Sequence, residues 1–95
     1  MSKNKIYSVT FAPGAVNADA AVDLPAGAPE IGKILEAALM LQNAGTGVIT
    51  NTALTPVIDA ADIAAGSISA VDGNSVRLGT AATTLMLLRV TYRVK

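Results

Sequence analysis

The residues best suited to chemistry in this chain are its few charged side chains, because the sequence contains no cysteine and no histidine. This composition excludes a thiolate nucleophile, a disulfide framework, a serine–histidine–aspartate triad and zinc sites built on cysteine or histidine. Acid–base catalysis would have to use carboxylates, lysines or tyrosines with shifted pKa values. We therefore expect a protein that is not an enzyme, with no catalytic residue and no cofactor.

One serine and one lysine have the spacing of an acyl-transfer dyad. The N-terminal Ser2-Lys3-Asn4-Lys5 matches the S-x-x-K pattern, in which the serine begins a helix and the lysine is buried. Chain ends are commonly frayed, so this position suits neither requirement. We interpret residues 1–5 as a flexible arm and residues 6–95 as a single domain.

Carboxylates supply two further candidates. Asp59 and Asp62, joined by Asp72 if the fold brings it near, offer oxygen ligands for calcium, but their spacing differs from that of an EF-hand loop. A solvated acidic loop is the simpler interpretation, and we predict no metal. Asp19 and Asp23 share one face of a predicted strand about 13 Å apart, too far for a catalytic carboxylate pair, and we expect both to face solvent.

Three arginines form the remaining candidate site. Arg77, Arg89 and Arg93 are predicted to face outward, and together they would form a partner interface, since arginine makes bidentate contacts with acidic groups. Ordinary surface charge explains them about as well. Only 15% of the residues are charged and 52% are hydrophobic, with a net charge of zero. A surface with so little repulsion favours a homo-oligomer or a docked subunit.

The composition also bears on nucleic acids and membranes as partners. A balanced charge gives no basic footprint for nucleic acid, and the three aromatic rings, Tyr7, Phe11 and Tyr92, make a poor platform for stacking bases. No apolar run has the ~18 residues of a membrane span. Ser8, Thr10 and Pro13 interrupt the apolar region that an export signal would need. We therefore expect neither nucleic acid nor a membrane as a partner.

Alternation of apolar and polar residues predicts strands in the first third of the chain. Residues 6–11 place Tyr7, Val9 and Phe11 on one face, and Pro13-Gly14 then ends the strand. From Val16 to Leu24 every second residue is apolar, which predicts a half-buried strand of nine residues. The prolines and glycine of residues 25–29 predict a loop.

Residues 30–43 fit both a helix and a strand. Ile31, Ile34, Leu35, Ala38 and Leu39 form a helical stripe, and the residue types favour a helix. A strand would instead place Leu35, Ala37, Leu39 and Leu41 on one face. Every neighbouring segment has strand periodicity, and Gly32 would fall in the first helical turn. We predict a strand over residues 33–42, since tertiary context often overrides propensity.

The rest of the chain alternates turns and strands. A turn is predicted at residues 43–47, whose Gly45-Thr46-Gly47 lacks the lysine of a phosphate loop, and a β-branched strand at 48–55 that ends at Pro56. Residues 59–66 suit a short helical turn or a loop. A two-residue loop at 72–73 would pair Ile68 with Arg77, whereas a three-residue loop at 72–74 pairs Ile68 with Leu78 and places Asn74 in the left-handed region. We predict the longer loop.

The final strand, residues 84–95, carries one unbroken apolar row and one row that includes two arginines. The apolar row consists of Met86, Leu88, Val90, Tyr92 and Val94. Six to eight short strands separated by turns predict an all-β fold, a compact antiparallel β-sandwich or small barrel. The many alanines thin its core, so oligomerisation would add apolar contact.

The order of several short motifs is similar to that of a known class of proteins. The chain resembles small virion structural proteins of tailed bacteriophages, the Ala/Thr/Gly-rich β-sandwich subunits that decorate or cement the head. The similar segments are Ile34-Leu35-Glu36-Ala37, Asn43-Ala44-Gly45-Thr46-Gly47, Thr50-Asn51-Thr52-Ala53-Leu54, Ala65-Gly66-Ser67-Ile68, Ser75-Val76-Arg77-Leu78-Gly79, Ala81-Ala82-Thr83-Thr84 and Leu88-Arg89-Val90-Thr91-Tyr92. The resemblance covers roughly residues 30–92 and concerns style and spacing rather than an invariant motif.

The resemblance implies a function that composition alone does not supply. It implies a non-enzymatic capsid decoration or cement protein, a homo-oligomer with a trimer favoured, which binds the major capsid protein and stabilises the head. Such a protein is made in the host cytoplasm and ends on the capsid surface of the virion. The alternative is a receptor- or carbohydrate-binding β-sandwich module of a fibre or adhesin, against which the shortage of aromatic residues counts.

Overall fold

Seven strands joined by turns and loops make up the computed structural model, which describes residues 5–58, 63–83 and 85–95. The strands are β1 (Ile6–Phe11), β2 (Ala21–Asp23), β3 (Ile31–Gln42), β4 (Ile49–Pro56), β5 (Ser67–Asp72), β6 (Ser75–Leu78) and β7 (Met86–Val94). The prediction of a small all-β fold with six to eight strands is confirmed. The described segments contain no helix that could cross a membrane.

All seven strands belong to one mixed sheet that curls into a half-barrel. Its order is β1-β7-β3-β4-β5-β6-β2, so β7 and β3 each lie between two other strands. Every pair is antiparallel except β4 and β5, which run parallel over Thr55–Ser67 and Pro56–Ile68. A parallel pair needs a crossover connection. The connection between β4 and β5 is accordingly longer than those that join the antiparallel neighbours β3 and β4, or β5 and β6.

The core lies on the concave side of the sheet. Its fully enclosed side chains come from β5, β6 and β7, where Ile68, Val76, Leu78, Leu88 and Val90 are 0% exposed. Tyr92 is enclosed with them, and its hydroxyl donates a 2.6 Å hydrogen bond to the Pro29 carbonyl. The apolar row predicted along the last strand is therefore the centre of the core. Its second row, which includes Arg89 and Arg93, faces outward.

The ambiguous segment 30–43 is a strand, as predicted, but its faces differ from the prediction. Register shifts at Gly32 and Leu35 interrupt the pairing of β3 with β7. Each shift inserts one extra residue, so Ile34 turns to the core and Leu35 to solvent. Gly32 is required at the first shift, because a Cβ there would lie 2.8 Å from the Arg93 carbonyl oxygen. The prediction that Leu35 shares a face with Ala37 and Leu39 is wrong for this reason.

The nine-residue strand predicted for 16–24 is also wrong. Only Ala21–Asp23 forms a strand, and Val16 makes one isolated bridge to Ala82. Between them the chain turns, with Asp19 at φ 68° and the Ala20 N–H donating to the Asn17 carbonyl. Aspartate tolerates this left-handed conformation better than most residues. The alternating pattern hid a turn, although Val22 is buried as the pattern required.

The β5–β6 hairpin has the predicted register. Ile68 pairs with Leu78, Ser69 with Arg77, and Ala70 with Val76. A bulge between Ala70 and Asp72 then lets Asp72 pair with Ser75, so the extra residue lies in the strand rather than in a three-residue loop. Asn74 does not adopt the left-handed conformation predicted for it. It instead donates from Nδ2 to the Ala28 carbonyl and accepts from the Leu24 N–H.

The far end of the β3–β4 hairpin projects from the half-barrel. The molecule measures 46 × 26 × 21 Å, and every residue from 41 to 53 is exposed. The predicted turn at 43–47 caps this hairpin, where the Asn43 side-chain oxygen accepts from the Gly45 and Thr46 N–H groups. We call residues 40–53, with the adjoining residues 85–87, the projecting segment.

Candidate functional site

The outer face of the projecting segment carries an apolar groove. Met40, Gln42, Ile49, Leu85, Met86 and Leu87 line this groove, whose volume is about 200 Å³. Ile49 is 58% exposed, Leu85 54% and Leu87 41%. Large apolar side chains that stay this exposed beside one another are typical of a surface that binds another molecule.

Strand register places these side chains together. Met40 of β3 lies directly opposite Leu87 of β7, and Asn51 of β4 lies on the other side of Met40. Residues directly opposite in a sheet share a face. Since Leu88 is fully buried on the concave side, its neighbour Leu87 must face outward.

A basic row continues the same outer face along β7. Arg89 and Arg93 are four residues apart, about 13 Å along the strand, and Lys33 lies directly opposite Arg93. Like charges directly opposite destabilise a sheet, so this pair favours an anionic neighbour. The Nε of Arg89 is buried and forms no hydrogen bond to the described residues.

The third predicted arginine lies elsewhere. Arg77 is on β6, opposite Ser69 and Ala21, and the strands β3, β4 and β5 separate β6 from β7. At ~4.8 Å per strand this separation is about 19 Å along the sheet. The structure thus brings together Arg89 and Arg93 and leaves Arg77 apart.

The three aromatic rings face the core rather than a binding surface. Tyr92 is 0% exposed, and its ring centroid lies 5.5 Å from that of Tyr7, which is half-buried like Phe11. The pKa of Tyr92 is raised, mainly because burial disfavours the charged phenolate and also because Tyr7 lies beside it. None of the rings offers an exposed face on which a sugar would stack.

The predicted solvent exposure of the acidic residues is confirmed at one position and wrong at another, and the remaining side chains are not described. Asp23 is exposed as predicted, and it accepts a 2.6 Å hydrogen bond from the Ser75 hydroxyl. Asp19 is half-buried instead, because its carboxylate accepts from the Ile63 N–H. Asp59 and Asp62 lie outside the described residues, as does the side chain of Asp72. Within the described ranges no group of three carboxylates could hold a metal ion.

Three other predictions fall partly or wholly outside the described ranges. The Ser2–Lys5 motif and the flexible arm of residues 1–5 belong to this group, because the description begins at residue 5. The helical turn or loop predicted at 59–66 is described only from Ile63, where residues 63–66 form a loop and a turn.

Sequence reasoning missed the apolar groove, although a signal for it exists. Residues 37–58 contain no charged side chain, and Thr50, Asn51 and Thr52 break the apolar alternation that a buried strand would show. A strand that has neither a buried row nor charged side chains is exposed, and no charge repulsion keeps another molecule from binding to it.

Comparison with known proteins adds no relative. No family model, no curated protein and no solved structure matches the chain. The function has to be inferred from the surface just described.

Proposed function

We propose that this protein is a non-enzymatic structural subunit of a virion, a capsid decoration or cement protein that forms homo-oligomers and binds the major capsid protein. The observation that carries the proposal is the apolar groove of the projecting segment, continued by the basic row of β7. A purely structural subunit needs a surface that binds its neighbours, and it needs no catalytic group.

Charge and shape specify the partner surface. The groove would take an apolar side chain of the capsid protein, because its lining is apolar except for Gln42. The basic row would meet carboxylates, because Lys33 and Arg93 lie directly opposite each other on the outer face. The partner is therefore a protein surface with an apolar knob beside acidic residues.

The resemblance to phage decoration proteins supports the same partner. It also implies the place of action, the capsid surface, after synthesis in the host cytoplasm. A sugar- or receptor-binding module is less well supported, because Tyr7, Phe11 and Tyr92 all face the core.

Particle composition tests the proposal. Virions grown with the variant Leu87→Asp in place of the natural chain should lack the protein, because a carboxylate in the groove costs several kcal/mol to bury. Ile58→Asp is the matched control, since Ile58 is 94% exposed and lies outside the groove. We expect mass spectrometry of purified particles to detect the unmodified chain and the Ile58 variant. Absence of the unmodified chain from particles would reject the function, and equal incorporation of both variants would reject the groove.

A further inference from the structure

The open edge of β4 is a second surface, distinct from the outer face. β4 pairs with β3 through Leu54–Ala37 down to Ile49–Gln42, but its pairing with β5 begins only at Thr55. Among the described residues, nothing pairs with the other side of residues 49–54. All but Leu54 in this stretch are exposed.

Backbone alternation shows which groups point to this edge. The Asn43 N–H donates to the Val48 carbonyl across the hairpin, whereas the Thr55 N–H donates away from β3, to the Gly66 carbonyl. Backbone groups of an antiparallel strand alternate sides from one residue to the next. The N–H and carbonyl groups of Ile49, Asn51 and Ala53 therefore point outward from the sheet.

Among the described residues, this edge has none of the common protections against pairing. Natural edge strands carry charges, prolines, bulges or a cover. Residues 48–55 have no charge and no proline, and the register of β3 with β4 is unbroken from Leu54 to Ile49. The other long edge, β1, differs, because Lys5 precedes it and Arg89 and Arg93 of β7 lie beside it.

We propose that the β4 edge binds the β4 edge of a second copy of this chain, in an antiparallel arrangement about a two-fold axis at Asn51. In this register Ile49 lies opposite Ala53 of the second copy, Asn51 opposite its own equivalent, and the three outward-pointing residues of each copy form about six hydrogen bonds. The two sheets become one continuous sheet.

The side chains of this edge favour a copy of itself over a charged partner. Thr50 of one chain lies opposite Thr52 of the other, a threonine pair that is favourable across strands. No like charges meet, because the segment has none. A two-fold contact uses the same patch on both chains and closes on itself, the commonest arrangement of homo-oligomers.

Single cysteines test the register directly, because the natural chain has no cysteine. In Asn51→Cys the two thiols would face each other across a pair with a Cα–Cα distance of about 5.5 Å, which a disulfide spans. We expect mild oxidation to give a covalent dimer. Ser8→Cys, at the middle of the β1 edge, is the matched control. It should run as a monomer in denaturing gel electrophoresis without reducing agent.

The pattern of cross-links decides between arrangements. A mixed dimer of the two variants, formed in preference to the Asn51 homodimer, would show that β4 pairs head-to-tail with β1 and would overturn the two-fold contact. So would a trimeric mass of the unmodified chain in analytical ultracentrifugation, since a two-fold contact alone does not build a three-fold ring.

A charge variant supplies a second measurement. Asn51→Lys places two ammonium groups opposite each other, and we expect it to weaken dimerisation at least tenfold in sedimentation equilibrium. Ser8→Lys should leave the dissociation constant unchanged. Circular dichroism of both variants checks that the strands persist. An Asn51→Lys protein that is folded and dimerises as before would refute the proposal.

This contact does not depend on the capsid. A dimer found in solution but absent from particles would reject the proposed function and leave the β4 contact intact.

Discussion

The half-barrel and the projecting segment share strands but differ in what holds them. In the half-barrel, β7 lies between β1 and β3, and Leu88 and Val90 have no exposed surface. In the projecting segment β3 and β7 continue, yet Leu41 is 40% exposed. One part of the sheet is therefore stabilised by burial, whereas the other depends mainly on backbone pairing.

Truncation of two adjacent leucines tests most directly whether burial stabilises the two faces differently. Leu88→Ala should lower the free energy of unfolding by about 2–5 kcal/mol, because it leaves a cavity in the core. Leu87→Ala should lower it by less than about 0.5 kcal/mol, because that side chain faces solvent. Urea unfolding followed by circular dichroism measures both. Equal losses would mean that the outer face is covered in the free protein.

A smaller effect is expected from the hydroxyl that closes the core. Tyr92→Phe removes the hydrogen bond to the Pro29 carbonyl and should cost about 1 kcal/mol at neutral pH. The pKa of Tyr92 is raised on folding, so the unfolded chain releases this proton first as the pH rises. Stability should therefore be complete below the unfolded pKa and fall as the pH rises through the folded one.

Denaturation midpoints at about pH 8 and about pH 11 test this dependence. The unmodified protein should lose stability between them, and Tyr92→Phe should lose less. If both proteins fall equally, the loss comes from other groups.

The smallest effect on global stability belongs to the tip of the projecting segment. Asn43→Ala removes the acceptor for the Gly45 and Thr46 N–H groups, and we expect a loss of about 0.5 kcal/mol or less, because the tip opens without the core. Hydrogen exchange should nevertheless become faster at residues 41–50 and stay unchanged in β5 and β6. Faster exchange throughout the chain would show that the two regions unfold as one.

Sequence patterns predicted most of the strands and the turn that caps the projecting segment. Hydrophobic alternation found β1 and β7, and the choice between loop lengths gave the pairing of Ile68 with Leu78, because burial on one face fixes register. The bulge at Leu35 and the turn at Asp19 were missed, since each depends on distant residues: Tyr92 and Thr91 of β7 for the bulge, and the Ile63 N–H for the turn. Local patterns contain no information about such partners.

The candidate site was predicted only in part. Outward-facing Arg89 and Arg93 follow from period two along one strand. That Arg77 stands apart depends on strand order, which alternation does not encode. The groove required knowing that β3 lies between β4 and β7, so that Met40 stands between Asn51 and Leu87.

The pairing of β1 with β7 has a consequence for how the protein is made. Ile6 lies opposite Arg93, so β1 finds its place only after β7 has left the ribosome. Until then Tyr7, Val9 and Phe11 have no sheet to join, and contacts so distant along the chain slow folding. All of β2 to β7 must therefore be synthesised before β1 can pair and the nascent polypeptide can close its interior.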